Sequence, residues 1–134
     1  THLIFGLGIV SFFSLDPIAL AVAGVISVIP DLDMPFGHRQ WFSHSFAASA
    51  IFSLTGFLAS SYNFFIAAVI LISASVHVIL DSLTKSGVPL LFPWRTKDYG
   101  LRVFVSHSRI FNAAFIFLGL FFLINNFSVL NSIL

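Results

Sequence analysis

The sequence predicts an all-α protein: a polytopic membrane helical bundle of about five transmembrane helices, with residues 1–134 forming one domain. Three observations lead there. Of 134 residues, 58% are apolar and only 8% are charged, whereas a soluble domain carries roughly 25% charge. Phe occurs 18 times, Glu is absent, and the mean hydropathy is +1.04. The apolar residues fall into five runs that are too long for strands and lack period-2 alternation. A soluble fold of this length could not bury so much apolar surface, so lipid must be the solvent for much of it.

The first run extends from Leu3 to about Leu15 and the second from Ile18 to about Ile29, with Asp16-Pro17 between them. A single kinked helix would hold Asp16 near the bilayer centre at a cost of roughly 3 kcal/mol or more. A helical hairpin instead makes Asp16 an N-cap and places Pro17 at the first helical position, so a hairpin is predicted. Its helices, about 13 residues each, reach only roughly 20 Å and need local thinning or shielding by neighbours. Gly6, Gly8, Ala19, Ala21, Ala23 and Gly24 favour close packing between them. The third run spans about Phe42 to Ala59, the fourth about Tyr62 to Leu83 and the fifth about Ile110 to Ile124. Between the last two, Gly87 to Ser106 is broken by Pro89 and Pro93 and alternates weakly from Leu101 to Val105. An interfacial loop or small hairpin is expected there, with Trp94 and Tyr99 at headgroup level.

Counting crossings puts all six cations, Arg39, Lys85, Arg95, Lys97, Arg102 and Arg109, on the face where the chain begins. The opposite face keeps Asp16 and no basic residue. The positive-inside rule makes the basic face cytoplasmic. A net charge of +1 gives no case for nucleic-acid binding. Without Cys, disulfides and thiolate-bound metals are excluded. The chain starts at Thr1, so a few residues are expected upstream, and no basic region precedes the first apolar run as a cleavable signal peptide would require.

The polar residues carry the functional information. His2 opens the first helix; Asp31 and Asp33 lie at the end of the second; His38, Arg39 and His44 precede or open the third. His77 and Asp81 are four apart on the fourth helix and so share a face, which Ser73 and Thr84 extend. His107 precedes the fifth. The same topology gathers all of these on the cytoplasmic face. Imidazole and carboxylate are ligands for zinc, manganese or iron, and seven candidate metal ligands result: His2, Asp31, Asp33, His38, His44, His77 and Asp81. That number exceeds one tetrahedral shell, so either two ions or one ion with outer supporting residues is expected. A divalent cation there would acidify water and stabilise charge on a phosphoryl or carbonyl oxygen. Taken singly, each residue has a plainer reading: His77 or Asp81 as a helix-packing hydrogen bond, Asp31 and Asp33 as a helix end, and His38 and His44 as interfacial polar residues. Arg39 suits phosphate bidentately, an Asp at position 31 or 33 outside the metal shell suits a general base, and His107 suits substrate contact. Asp31, Asp33, Arg39 and His107 are therefore the catalytic candidates.

The combination of His2, Pro30-Asp31-Leu32-Asp33, His38-Arg39, Ser43-His44-Ser45 and His77-Val78-Ile79-Leu80-Asp81 resembles the YdjM-type membrane-bound metal-dependent hydrolases of bacteria and archaea. Ser82-Leu83-Thr84 and Gly87-Val88-Pro89-Leu90-Leu91-Phe92-Pro93-Trp94 continue the likeness, which covers about residues 2–95. This sequence departs from the family pattern at Gln40 and Ser43, where Gly and Thr are common. The resemblance implies a metal-dependent hydrolase of the inner cell membrane. The His-xxx-Asp element is also similar to ligand spacing in zinc phospholipase C-type enzymes. The leading expectation is a zinc-dependent phosphoesterase, with one or two ions and manganese as the other candidate metal, acting on a phospholipid or lipid-linked phosphate. A lipid ester or amide hydrolase with the same metal, or a metal or ion transporter, are the rivals. Transport is disfavoured because the opposite face offers no matching polar exit.

Overall fold

The computed structural model describes residues 1–36, 42–106 and 108–133, and the side chains among these except at 33–36 and 133. Among the described residues five α-helices form: α1 (His2–Val10), α2 (Pro17–Ile26), α3 (Phe46–Ala59), α4 (Phe64–Ser82) and α5 (Arg109–Ile133). No strand forms among the described residues; the segment between α4 and α5 has two isolated bridges, Thr84 with Phe104 and Val88 with Tyr99. The domain is all-α, as its composition predicts.

Asp16 turns the chain between α1 and α2. Its carboxylate accepts from the Ala19 N–H at 2.9 Å, and Pro17 starts α2. α1 stops at Val10, where the Ser11 hydroxyl donates to the Gly8 carbonyl at 2.7 Å and the backbone turns. The hairpin is therefore shorter than its apolar runs. Helices of 9 and 10 residues reach about 14–15 Å, half of a hydrocarbon core of about 30 Å.

The apolar runs predict five spanning helices, but only Phe64–Ser82 and Arg109–Ser132 are long and apolar enough to cross a membrane. Capping and 3-10 turns shorten the other three. Ser45 caps α3, accepting from the Ala48 N–H at 3.1 Å, so Phe42–His44 becomes a 3-10 turn and not part of the helix. The Ser45 hydroxyl is buried and also donates to the Phe42 carbonyl at 2.7 Å. Ser45→Ala is expected to cost about 1–2 kcal/mol, the upper range for a cap, in thermal or denaturant unfolding in detergent; an unchanged stability would refute the cap. α5 runs nine residues past the expected end at Ile124, to Ile133. Asn125 donates to the Phe121 carbonyl at 2.8 Å and Asn126 to the Ser11 hydroxyl at 2.8 Å, so the asparagine pair continues the helix.

α1, α2 and α4 pack mutually, with α3 against α4 and α5 against α1. Val10, Ala19, Ala23 and Val69 are the buried centre of that trio. Small residues set its spacing. Gly6 faces Ser27, Gly24 faces Leu3 and Leu7, and Gly8 meets the backbone of Gly119 on α5. Phe5 of α1 and Phe12 of the turn that follows it stack edgewise on Phe115 and Phe122 of α5. The rest of α5 displays apolar side chains outward, among them Ile110, Phe117, Phe121 and Ile124. The α4–α5 connection folds back on the bundle: the Phe46 N–H donates to Leu90, Leu101 to Ser82 and Val103 to Leu83. Phe104 tucks inward and stacks on Phe111, while Leu101, Val103 and Val105 stay exposed. The alternation there is real, but its partner is the end of α4 and not a second strand.

Candidate metal centre

The polar stripe on α4 lies wholly inside. Ser73, His77, Asp81 and Thr84 are all buried, each about one turn from the next on one face. α2 fixes the orientation of His77: the Ser27 carbonyl, at the end of that helix, accepts from His77 Nδ1–H at 2.7 Å. The neutral ring then carries its lone pair on Nε2, the tautomer arrangement that supporting hydrogen bonds impose on metal-ligating histidines. His44 is delivered by the 3-10 turn before α3 and lies fully buried. Its Nδ1 pairs with the Ser43 hydroxyl at 3.1 Å, which orients the ring with Nε2 toward His77. Asp31 arrives from the 3-10 segment Ile29–Phe36 that follows α2.

These four residues converge. One ligand atom from each of Asp31, His44, His77 and Asp81 lies within 4.8 Å of all the others. The two Nε2 atoms are 3.3 Å apart. Asp81 Oδ2 stands 3.2 Å from His44 Nε2 and 3.6 Å from His77 Nε2; Asp31 Oδ1 stands 3.8 and 3.6 Å from the same nitrogens. Metal–ligand bonds of about 2.0–2.1 Å in a tetrahedron require ligand atoms about 3.3 Å apart. The donor set and its spacing thus fit one divalent cation, with Asp31 slightly distant. Two imidazole nitrogens and two carboxylates share one largely buried space, a donor set that suits such an ion.

Asp31 is the outermost of the four, with its side chain 25% exposed against 1% or less for the others. Its partial burial by itself would raise its carboxyl pKa. The hydrogen bond from His44 and the fields of His77 and His2 outweigh that, and the net direction is below the usual carboxylate value. Asp31 is therefore held as carboxylate, the form a metal needs.

His2 comes to the same place but outside the group of four. Its Nε2 is 3.4 Å from Asp81 Oδ1, the opposite carboxylate oxygen, and its ring stacks on His77. Five of the sequence candidates, His2, Asp31, His44, His77 and Asp81, are thus brought together from positions 2 to 81. His38, Arg39, His107 and the side chain of Asp33 lie outside the described residues.

A family model described as YdjM inner membrane protein matches residues 1–132. The chain belongs to the YdjM family. No curated protein and no solved structure matches it. The YdjM match covers all four converging residues and both long apolar helices, which together point to a membrane protein carrying a buried His/Asp group that could hold a metal ion. Sequence reasoning missed what orients the site in this YdjM protein: the Ser27 carbonyl and the Ser43 hydroxyl.

Proposed function

We propose that this protein is a zinc-dependent hydrolase embedded in the inner membrane, which cleaves a phosphoester of a phospholipid or lipid-linked phosphate at the cytoplasmic face. The observation that carries the reading is the convergence of Asp31, His44, His77 and Asp81 at tetrahedral spacing. These four hold a single ion, and His and carboxylate donors suit zinc first and manganese second. When bound, the cation supplies Lewis acidity, lowering the pKa of water and stabilising charge on the attacked group.

The protein's own residues do the rest. The Ser27 carbonyl holds His77 in the tautomer that presents Nε2, and the Ser43 hydroxyl orients the His44 ring. α3 and α4 exclude water from His44, His77 and Asp81, strengthening every electrostatic contact there. Asp31 faces outward and marks the side from which substrate arrives. Arg39, five positions before His44, is the proposed phosphate-binding cation, Asp33 the proposed general base and His107 a proposed substrate contact.

A cytoplasmic site is supported by the basic connections. Lys85, Arg95, Lys97 and Arg102 all fall between Asp81 on α4 and Arg109, the first residue of α5, so the positive-inside rule favours the cytoplasm for the metal end of α4. α4 and α5, of 19 and 25 residues, reach about 28 and 37 Å, enough to span the hydrocarbon core.

The test is elemental analysis of purified protein, followed by assay against phospholipids, lipid-linked phosphates, and lipid esters and amides. About one equivalent of zinc per chain and metal-dependent cleavage of a phosphoester are expected. Fully loaded protein that cleaves only esters or amides would transfer the reading to carbonyl chemistry. Loaded protein that cleaves none of these, yet carries metal flux in proteoliposomes, would make it a transporter.

A further inference from the structure

His2 lies against the metal group without joining it, and three observations define its role. The first is which oxygen it takes. His44 and His77 face Asp81 Oδ2, at 3.2 and 3.6 Å, while His2 Nε2 faces Oδ1, at 3.4 Å. The second is ring geometry. The His2 and His77 rings are stacked, with centroids 4.0 Å apart and planes inclined by 27°. An imidazole lone pair lies in its ring plane, and two planes so arranged meet several ångströms beyond the rings, well outside a metal–nitrogen bond of about 2.0–2.1 Å. Two stacked imidazoles therefore cannot both aim at one ion. His44 and His77, inclined by 60° with Nε2 atoms 3.3 Å apart, can.

The third observation is the space beside His2. A cavity of about 40 Å³ is lined by Thr1, His2, Asp81, Thr84, Ser106 and Asn112, with apolar walls from α4, α5 and Phe104. It has room for roughly two to four waters and none for a lipid headgroup, so His2 does not meet the substrate from that side. The backbone at His2 is pinned: the Thr1 hydroxyl donates to Asn112 Oδ1 at 2.9 Å, and Asn112 Nδ2 donates to the Ser106 carbonyl at 3.1 Å.

We propose that His2 is a positioning residue for Asp81: through Nε2–H it holds Oδ1, so that the carboxylate offers Oδ2 alone to the ion. The four ligating residues then supply four donor atoms and not five. The proposal rests on the metal reading above.

The experiment titrates Co²⁺ into metal-free, detergent-solubilised full-length protein, as wild type, His2→Leu and His2→Gln, and records the visible absorption of the bound ion. One Co²⁺ per chain is expected in all three. His2→Leu is expected to bind 10- to 100-fold more weakly, the usual effect of losing an outer hydrogen-bond partner, with weaker visible bands as Asp81 becomes bidentate and coordination number rises. His2→Gln, whose amide N–H can reach Oδ1, is expected to restore both. Wild type binding two Co²⁺ and His2→Leu one would make His2 the ligand of a second ion and overturn the proposal. Wild-type affinity and spectrum in His2→Leu would overturn it while leaving the metal site standing. Wild type that takes up no Co²⁺ would end both.

Discussion

Asp81→Asn is expected to abolish metal binding: about one equivalent per chain in the wild type should fall to a trace, and affinity should drop by more than about a hundredfold, beyond what loss of an outer partner costs. Asp81 contacts His2, His44 and His77 and supplies a carboxylate that is only 1% exposed. Asparagine keeps the shape of the side chain, so the fold should survive in detergent while the negative charge and one acceptor oxygen are lost. His77→Ala should lose metal equally. It should also unfold more readily, by about 1–3 kcal/mol, because the buried Ser27 carbonyl is left without its donor. The two variants thus separate ligation from packing. Elemental analysis beside unfolding curves reads both, and undiminished metal in Asp81→Asn would remove the centre from consideration.

Gly119→Val is expected to be the most disruptive change outside the metal group. A Cβ at position 119 would lie 2.6 Å from the Ile4 carbonyl oxygen and 2.8 Å from the Phe5 Cα, and one at Gly8 would lie 2.5 Å from the Gly119 carbonyl oxygen. These obstacles are backbone, so α1 and α5 must move apart as whole helices. Overpacking usually costs about 1–3 kcal/mol, and here the upper end or more is expected. Gly24→Ala is the comparison: its Cβ would meet the end of the Leu3 side chain at 3.2 Å, which can turn aside. A Gly119→Val protein within about 0.5 kcal/mol of wild type in detergent unfolding would show that the contact does not hold the helices.

Much of this architecture is legible in the sequence because it follows from local chemistry. Asp16-Pro17 announces a cap and a first helical turn, and the structure has both. His77 and Asp81 four apart must share a face, and that face is buried. The collection of His44 and Asp31 beside them follows from topology: the short hairpin starts and ends on one side. Three things were not legible. Helix lengths depend on which polar groups satisfy the terminal carbonyls, so the Asn125-Asn126 pair reads as a stop and acts as a continuation. The Ser27 carbonyl is a backbone atom with no side-chain signature. Which oxygen of Asp81 faces which histidine is a matter of ångströms between helices, beyond any spacing rule.

The partial exposure of Asp31 bears on how anything reaches the metal group. His44, His77 and Asp81 are sealed, and the space beside His2 admits only water, so the approach is past Asp31. The exposed residues flanking it in sequence, Val28 and Leu32, are greasy. On the proposed reading, a substrate dissolved in the leaflet would slide in sideways, while a water-borne competitor would have to cross an oily threshold. Encounter frequency would then be governed by two-dimensional crowding in the membrane plane, and discrimination would begin with partitioning, before any bond is touched.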